Sequence, residues 1–168
     1  PSAPAHPWTA SLSLGATLGA RPQHIAPYAQ VELLRRSEVV DVGLLLDATS
    51  LTPPRQDGSK TTVQVFGAGV LIRARWRWLS LGVVALGRAT TVHLTSDVHG
   101  VDGRHWYGDA GAGLDADMRL WHWAAMDLAL RARGLAWLQP RRFLVAGSRI
   151  YAQSSLELML GPAVHLTF

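Results

Sequence analysis

The chain has 168 residues, enough for one domain, with 48% hydrophobic residues, only 17% charged ones and a formal charge of +4. No stretch reaches about 18 uninterrupted apolar residues, which excludes a transmembrane helix, and the absence of cysteine excludes disulfides and thiolate metal sites. The apolar residues instead alternate with polar ones along almost the whole sequence, as in strands with one apolar and one polar face.

Residues 1–7 are rich in Pro and Ala and read as a flexible extension ahead of a domain at 8–168. They contain no basic, apolar leader, so the signal of a secreted precursor would lie upstream. The first strand, 8–18, sets Trp8, Leu12, Leu14 and Leu18 against Thr9, Ser11, Ser13 and Thr17. After a loop at 19–24, the second strand, 25–34, turns Ile25, Val31 and Leu33 one way and Tyr28, Gln30 and Glu32 the other. Pro27 donates no ladder bond and is tolerable only near the strand's start. A tight turn at 35–38 leads to the third strand, with Val40, Val42, Leu44 and Leu46 opposed to Asp41 and Asp47. A long polar loop is expected at 50–60. The fourth strand sets Phe66, Val70 and Ile72 against Arg73 and Arg75, and because 61–65 run in the opposite phase, a bulge or loop residue is expected there.

The turn at 75–78 carries Trp76 and Trp78. The fifth strand, 79–92, presents Leu79, Leu81 and Val83 outward and Arg88 inward, before a second long loop at 93–105. In the sixth strand Tyr107, Asp109, Asp115, Asp117 and Arg119 alternate with Ala110, Ala112, Leu114 and Met118. A turn is expected at Trp121-His122-Trp123. The seventh strand opposes Met126, Leu128 and Leu130 to Asp127, Arg131 and Arg133, and a third long loop spans 139–149. In the last strand Leu156, Leu158, Leu160, Pro162, Val164, Leu166 and Phe168 alternate with Glu157, Met159, Gly161, Ala163, His165 and Thr167.

This closing strand resembles the C-terminal strand of bacterial outer-membrane β-barrels, in which a terminal Phe marks the substrate of the barrel-assembly machinery. The alternation of short turns with long loops is similar to that of the small eight-stranded barrels of the OmpA/OmpX type. The resemblance implies an all-β, eight-stranded antiparallel up-and-down transmembrane barrel in the outer membrane, with both termini periplasmic. It implies that Phe168 is an assembly signal and that Trp76, Trp78, Trp106, Trp121, Trp123 and Trp137 lie at the membrane interfaces. A soluble barrel also alternates, but its polar face would be solvated and could carry lysines. Here the single lysine, Lys60, is in a loop.

The polar face collects Glu32, Asp41, Asp47, Asp109, Asp115, Asp117, Asp127 and Glu157 with Arg73, Arg75, Arg88, Arg119, Arg131 and Arg133. Side chains just fill the interior of an eight-stranded barrel, so these residues are expected to form a plug. Asp115–Arg131 and Arg133–Glu157 are the expected bridges, with a proton or ion path as the alternative. Asp109, Asp115 and Asp117 share a face, but neighbouring arginines compete with any cation, so neither metal nor cofactor is expected. Outer-membrane lipid A deacylases use a His/Ser/acid set. Here His165 is followed by Thr167, and His93 has no acid at useful spacing, so no enzyme activity is expected. No helix or aromatic-basic patch points to nucleic acid. The expected function is a scaffold in contact with membrane lipid, lipopolysaccharide and possible partners in a larger envelope complex. A narrow channel and a lipid-modifying enzyme are the alternatives. The loops at 19–24, 50–60, 93–105 and 139–149 hold seven basic and three acidic residues. Among them, Arg141 and Arg142 are expected to contact lipopolysaccharide phosphates.

Overall fold

The computed structural model describes residues 7–21, 24–52, 60–96, 101–139, 142–145, 148–152 and 154–168. These form the strands β1 (Trp8–Arg21), β2 (His24–Arg36), β3 (Val40–Leu51), β4 (Lys60–Arg75), β5 (Leu79–Ser96), β6 (Val101–Trp123), β7 (Met126–Trp137), β8 (Arg142–Val145), β9 (Ser148–Ala152) and β10 (Leu156–Thr167). Eight of them close into an antiparallel barrel in the order β1-β10-β7-β6-β5-β4-β3-β2, while β8 and β9 pair as a separate hairpin. Closure matters because an open sheet edge would leave unpaired backbone groups in lipid. At the seam, Trp8 and Phe168 exchange backbone hydrogen bonds of 3.1 and 3.0 Å. The β1–β10 ladder skips Leu14 and Gly15 opposite Pro162 and Gly161. Pro162 has no N–H to give there, and its carbonyl accepts the Ser13 hydroxyl at 3.3 Å instead. Pro27 is accommodated because the β2–β3 ladder begins only at Tyr28.

The period-two faces lie as the sequence predicts, but the strands run further. The expected long loop at 93–105 is largely strand, since β5 continues to Ser96 and β6 starts at Val101, whereas at 50–60 only the ends belong to strands, β3 reaching Leu51 and β4 starting at Lys60. The third loop contains the β8–β9 hairpin. The expected bulge at 61–65 is absent, for the β3–β4 and β4–β5 registers are unbroken through this stretch. Thr61, Val63 and Val65 keep the inward phase and Thr62 and Gln64 the outward one. The polarity inverts because the strand leaves the apolar band, not because the backbone slips. Irregularities occur instead between Leu18 and Arg21, where Gly19 adopts a φ of 124°, and between Arg119 and Trp121. Trp121, His122 and Trp123 belong to β6, and the turn itself is Ala124-Ala125, with Ala124 at a φ of 50°.

The exterior carries Leu12, Leu14, Val31, Leu44, Leu46, Val70, Val83, Leu114 and Leu160, all about half exposed or more. An apolar belt of this extent encircling the barrel is a lipid-facing surface. On β5 it runs outward from Leu79 to Ala89 before Thr91. Ten steps of roughly 3.3 Å, tilted by about 40°, rise about 25 Å, the height of a hydrocarbon band. Trp76, Trp78, Trp121 and Trp123 are exposed at the end with the short turns, and Trp106 is exposed towards the other end.

Candidate functional site

The interior is the site that the fold builds. Alternation sends every second side chain inward, and the register decides which of them meet. The pairing of β6 with β7 sets Asp117 against Arg131 and Asp115 against Arg133. Arg131 forks onto Asp117 with two hydrogen bonds of 2.8 Å and reaches Glu32 on β2 at 2.8 Å. Arg133 donates to Asp115 at 2.6 and 2.8 Å, to Glu32 at 2.9 Å and to Gln30 at 2.5 Å. Arg73 on β4 completes the group, lying 2.6 Å from Asp115, 2.9 Å from Asp117 and 3.2 Å from Glu32. Ser11 adds a 2.8 Å hydrogen bond to Glu32. Three guanidinium groups and three carboxylates thus balance in charge and tie together β2, β4, β6 and β7 across the barrel. Arg131 and Arg133 are each only 1% exposed, so their pairing is shielded from water and ions.

A second group lies beside it. Arg88 on β5 pairs with Asp47 on β3 and, at 2.5 Å, with Glu157 on β10. Glu157 also accepts Thr17 at 2.5 Å and the Trp137 indole N–H at 3.0 Å. The Arg88 guanidinium lies 4.4 Å from the centroid of the Trp137 ring. Gly67 and Gly111 make the room. A Cβ on Gly67 would collide with the Asp47 carboxylate, and one on Gly111 with the Trp137 ring. Between the charges, Leu34, Leu45, Leu71, Leu86 and Leu135 pack with Tyr28, Met159 and Trp137, so the lumen is a mixed core and not a uniformly polar one.

Several sequence expectations are corrected. The bridges Asp115–Arg131 and Arg133–Glu157 give way to Asp117–Arg131, Asp115–Arg133 and Arg88–Glu157, because register, not sequence proximity, selects partners. Trp137 is not an interface aromatic. It is 4% exposed and shares the inward phase of Arg131, Arg133 and Leu135. Arg119 keeps the inward phase opposite Ala129 near the short-turn end of the barrel, where it is exposed, donates to the Arg77 carbonyl and lies 3.7 Å from Asp127. Asp127 pairs with His122 at 2.6 Å, and Asp41 with Arg75 at 3.0 Å. Asp109, the register partner of Arg88, accepts the backbone N–H groups of Ala110 at 2.7 Å and Gln139 at 3.3 Å. Gln30, Ser11 and Thr17 join the networks without having been expected there, although their inward phase is visible in the sequence. Arg141 and the side chain of Arg142 lie outside the described residues, as do residues 1–6. His165 sits 3.5 Å from Asp117, and its register partner Ser11 gives its hydroxyl to Glu32. No cluster able to hold a metal ion occurs among the described residues.

A closed eight-stranded antiparallel barrel with an apolar exterior and a side-chain-filled lumen defines the fold of the small outer-membrane barrels. Solved structures of that class are similar to this chain. They include a major outer membrane protein from Thermus thermophilus (TM-score 0.70, 10% identity, covering 98% of this chain and 100% of that one). The attachment invasion locus protein Ail of Yersinia pestis gives a TM-score of 0.62 at 6% identity, over 95% of this chain and 96% of that one. Neisserial surface protein A gives 0.59 at 10% identity, over the whole of both chains. No family model matches the sequence, and no curated protein matches it.

Proposed function

We propose that this barrel is an outer-membrane scaffold with a closed lumen, anchored in lipid and presenting its long hairpins to the cell exterior. The observation that carries this reading is the six-membered ion network of Glu32, Arg73, Asp115, Asp117, Arg131 and Arg133, which crosses the lumen between non-adjacent strands. An ion passing through would have to separate charges that are paired and buried. The end with short turns, where both described chain ends meet, is the proposed periplasmic side. Phe168, outward on the strand that closes the ring, is the proposed recognition residue for the barrel-assembly machinery. Contact with lipopolysaccharide by Arg141 and Arg142, and membership of a larger envelope complex, belong to the same reading. Ail has been solved in complex with the heparin analogue sucrose octasulfate. The basic hairpin ends of this chain suit polyanions on the same chemical ground. Conductance in planar bilayers tests the closed lumen. Parent protein is expected to give no discrete steps, and steady unitary currents would favour the channel reading.

A further inference from the structure

The outward faces of β4, β5 and β6 change character in register. The row Phe66, Ala89, Gly108 is apolar. The next contains Gln64, Thr91 and Trp106, and the one after it Thr62, His93 and Arg104. Three neighbouring strands therefore cross the same boundary together, at the top of the apolar belt. Thr62, Gln64, Thr91, His93 and Arg104 line a groove of about 360 Å³ there. The Arg104 guanidinium stacks 4.7 Å from the Trp106 ring centroid. Stacking engages its face and leaves the edge N–H groups as forked donors, the geometry that suits a phosphate. Thr91 supplies the second observation. It is 3% exposed, it lines the groove, and its hydroxyl has no hydrogen-bond partner. Buried hydroxyl groups are ordinarily paired, and an orphan is destabilising.

We propose that this groove binds the headgroup of a membrane glycolipid bearing phosphate. Arg104 takes the phosphate, and Thr91, Thr62 and Gln64 take sugar hydroxyl groups. An acyl chain descends over the small outward residues Ala89 and Gly108. A free anion would make no use of that apolar floor, and a headgroup without hydroxyl groups would leave Thr91 unpaired. The proposal rests on the outer-membrane reading for the leaflet concerned, but not for the binding itself.

Diphosphoryl lipid A titrated into detergent-solubilised protein and followed by native mass spectrometry tests it. Phosphatidylglycerol, phosphatidylcholine and inorganic phosphate serve as comparison ligands. The parent protein is expected to retain one lipid A molecule in preference to each of these. Arg104→Gln is expected to weaken binding tenfold or more, and the near-isosteric Thr91→Val several-fold, with Thr91→Val at least as resistant to unfolding as the parent. Arg35→Gln, an exposed charge at the opposite end, is expected to bind as the parent does. The proposal is overturned if both groove variants bind normally, if Arg35→Gln loses as much, or if phosphatidylglycerol binds equally well. Because the chain has no cysteine, labelling of His105→Cys on intact cells with an impermeant maleimide checks the orientation separately. A periplasmic location would refute the topology and leave the lipid-binding result standing.

Discussion

Replacing Arg131 with Ala removes one of the three guanidinium groups of the central network. Three contacts of 2.8 Å disappear, two to Asp117 and one to Glu32. Breaking a buried ion pair by deleting one partner costs about 3–5 kcal/mol. Two features push this case to the lower end. Asp117 keeps Arg73 at 2.9 Å, and Glu32 keeps Arg133 at 2.9 Å. The vacated volume is also large and polar enough to admit water. A loss of about 3 kcal/mol is expected, roughly a 150-fold shift in the unfolding equilibrium. Urea unfolding of protein folded into lipid vesicles, followed by tryptophan emission, measures it. Arg131→Ala with Asp117→Ala restores the balance of charge and should regain about 1–2 kcal/mol relative to additivity. Arg131→Met with Asp117→Leu, which fills the space with apolar atoms, should lie within about 1 kcal/mol of the parent. A single-mutant loss below about 0.5 kcal/mol, or a strictly additive double mutant, would refute the assignment of this pair as a buried crosspiece.

The closed ladder should survive detergent, so unboiled protein is expected to migrate faster than boiled protein on a denaturing gel, and identical mobilities would argue against closure. Brominated lipids should quench Trp76, Trp78, Trp121 and Trp123 but spare Trp137, which single-tryptophan variants can resolve. Trp137→Phe should cost about 1–3 kcal/mol in the same urea assay, because Glu157 loses the indole donor at 3.0 Å. Gly67→Ala should destabilise by about 1–3 kcal/mol through its collision with Asp47, whereas Gly134→Ala, with open space around its Cβ, should be neutral or slightly stabilising.

Which residues face inward is legible because alternation is local. It needs only the phase of each strand, and the phase of Glu32, Asp47, Arg88 and Asp115 follows directly from their neighbours. Which inward residues meet is not legible, because that depends on register and shear between strands far apart in sequence. Asp115 is opposite Arg133 and not Arg131 because β7 is offset by two residues from the pairing expected on proximity. Trp137 departs from expectation for a different reason. Its phase is available from Arg131 and Arg133, but the general preference of tryptophan for interfaces points the other way. Arg119 keeps the inward phase legible in the sequence, opposite Ala129, and is exposed because it stands near the short-turn end of the barrel beside Asp127.

The stretch at 61–65 shows how one pattern can be read two ways. Reversed polarity in a strand signals either an inserted residue or an unchanged backbone in a changed environment. A bulge would shift the register of one strand pair and leave the third strand unaffected. The inversion is instead shared by β4, β5 and β6, whose outward side chains turn polar along the same ladder rows with no register shift. Only a boundary in the surroundings acts on three strands at once, so the inversion marks the level at which lipid gives way to headgroups. Thr62, Gln64, Thr91 and Arg104 are polar because of where they stand outside the barrel, and the lumen residues at the same height, Val63 and Val92, are free to be apolar.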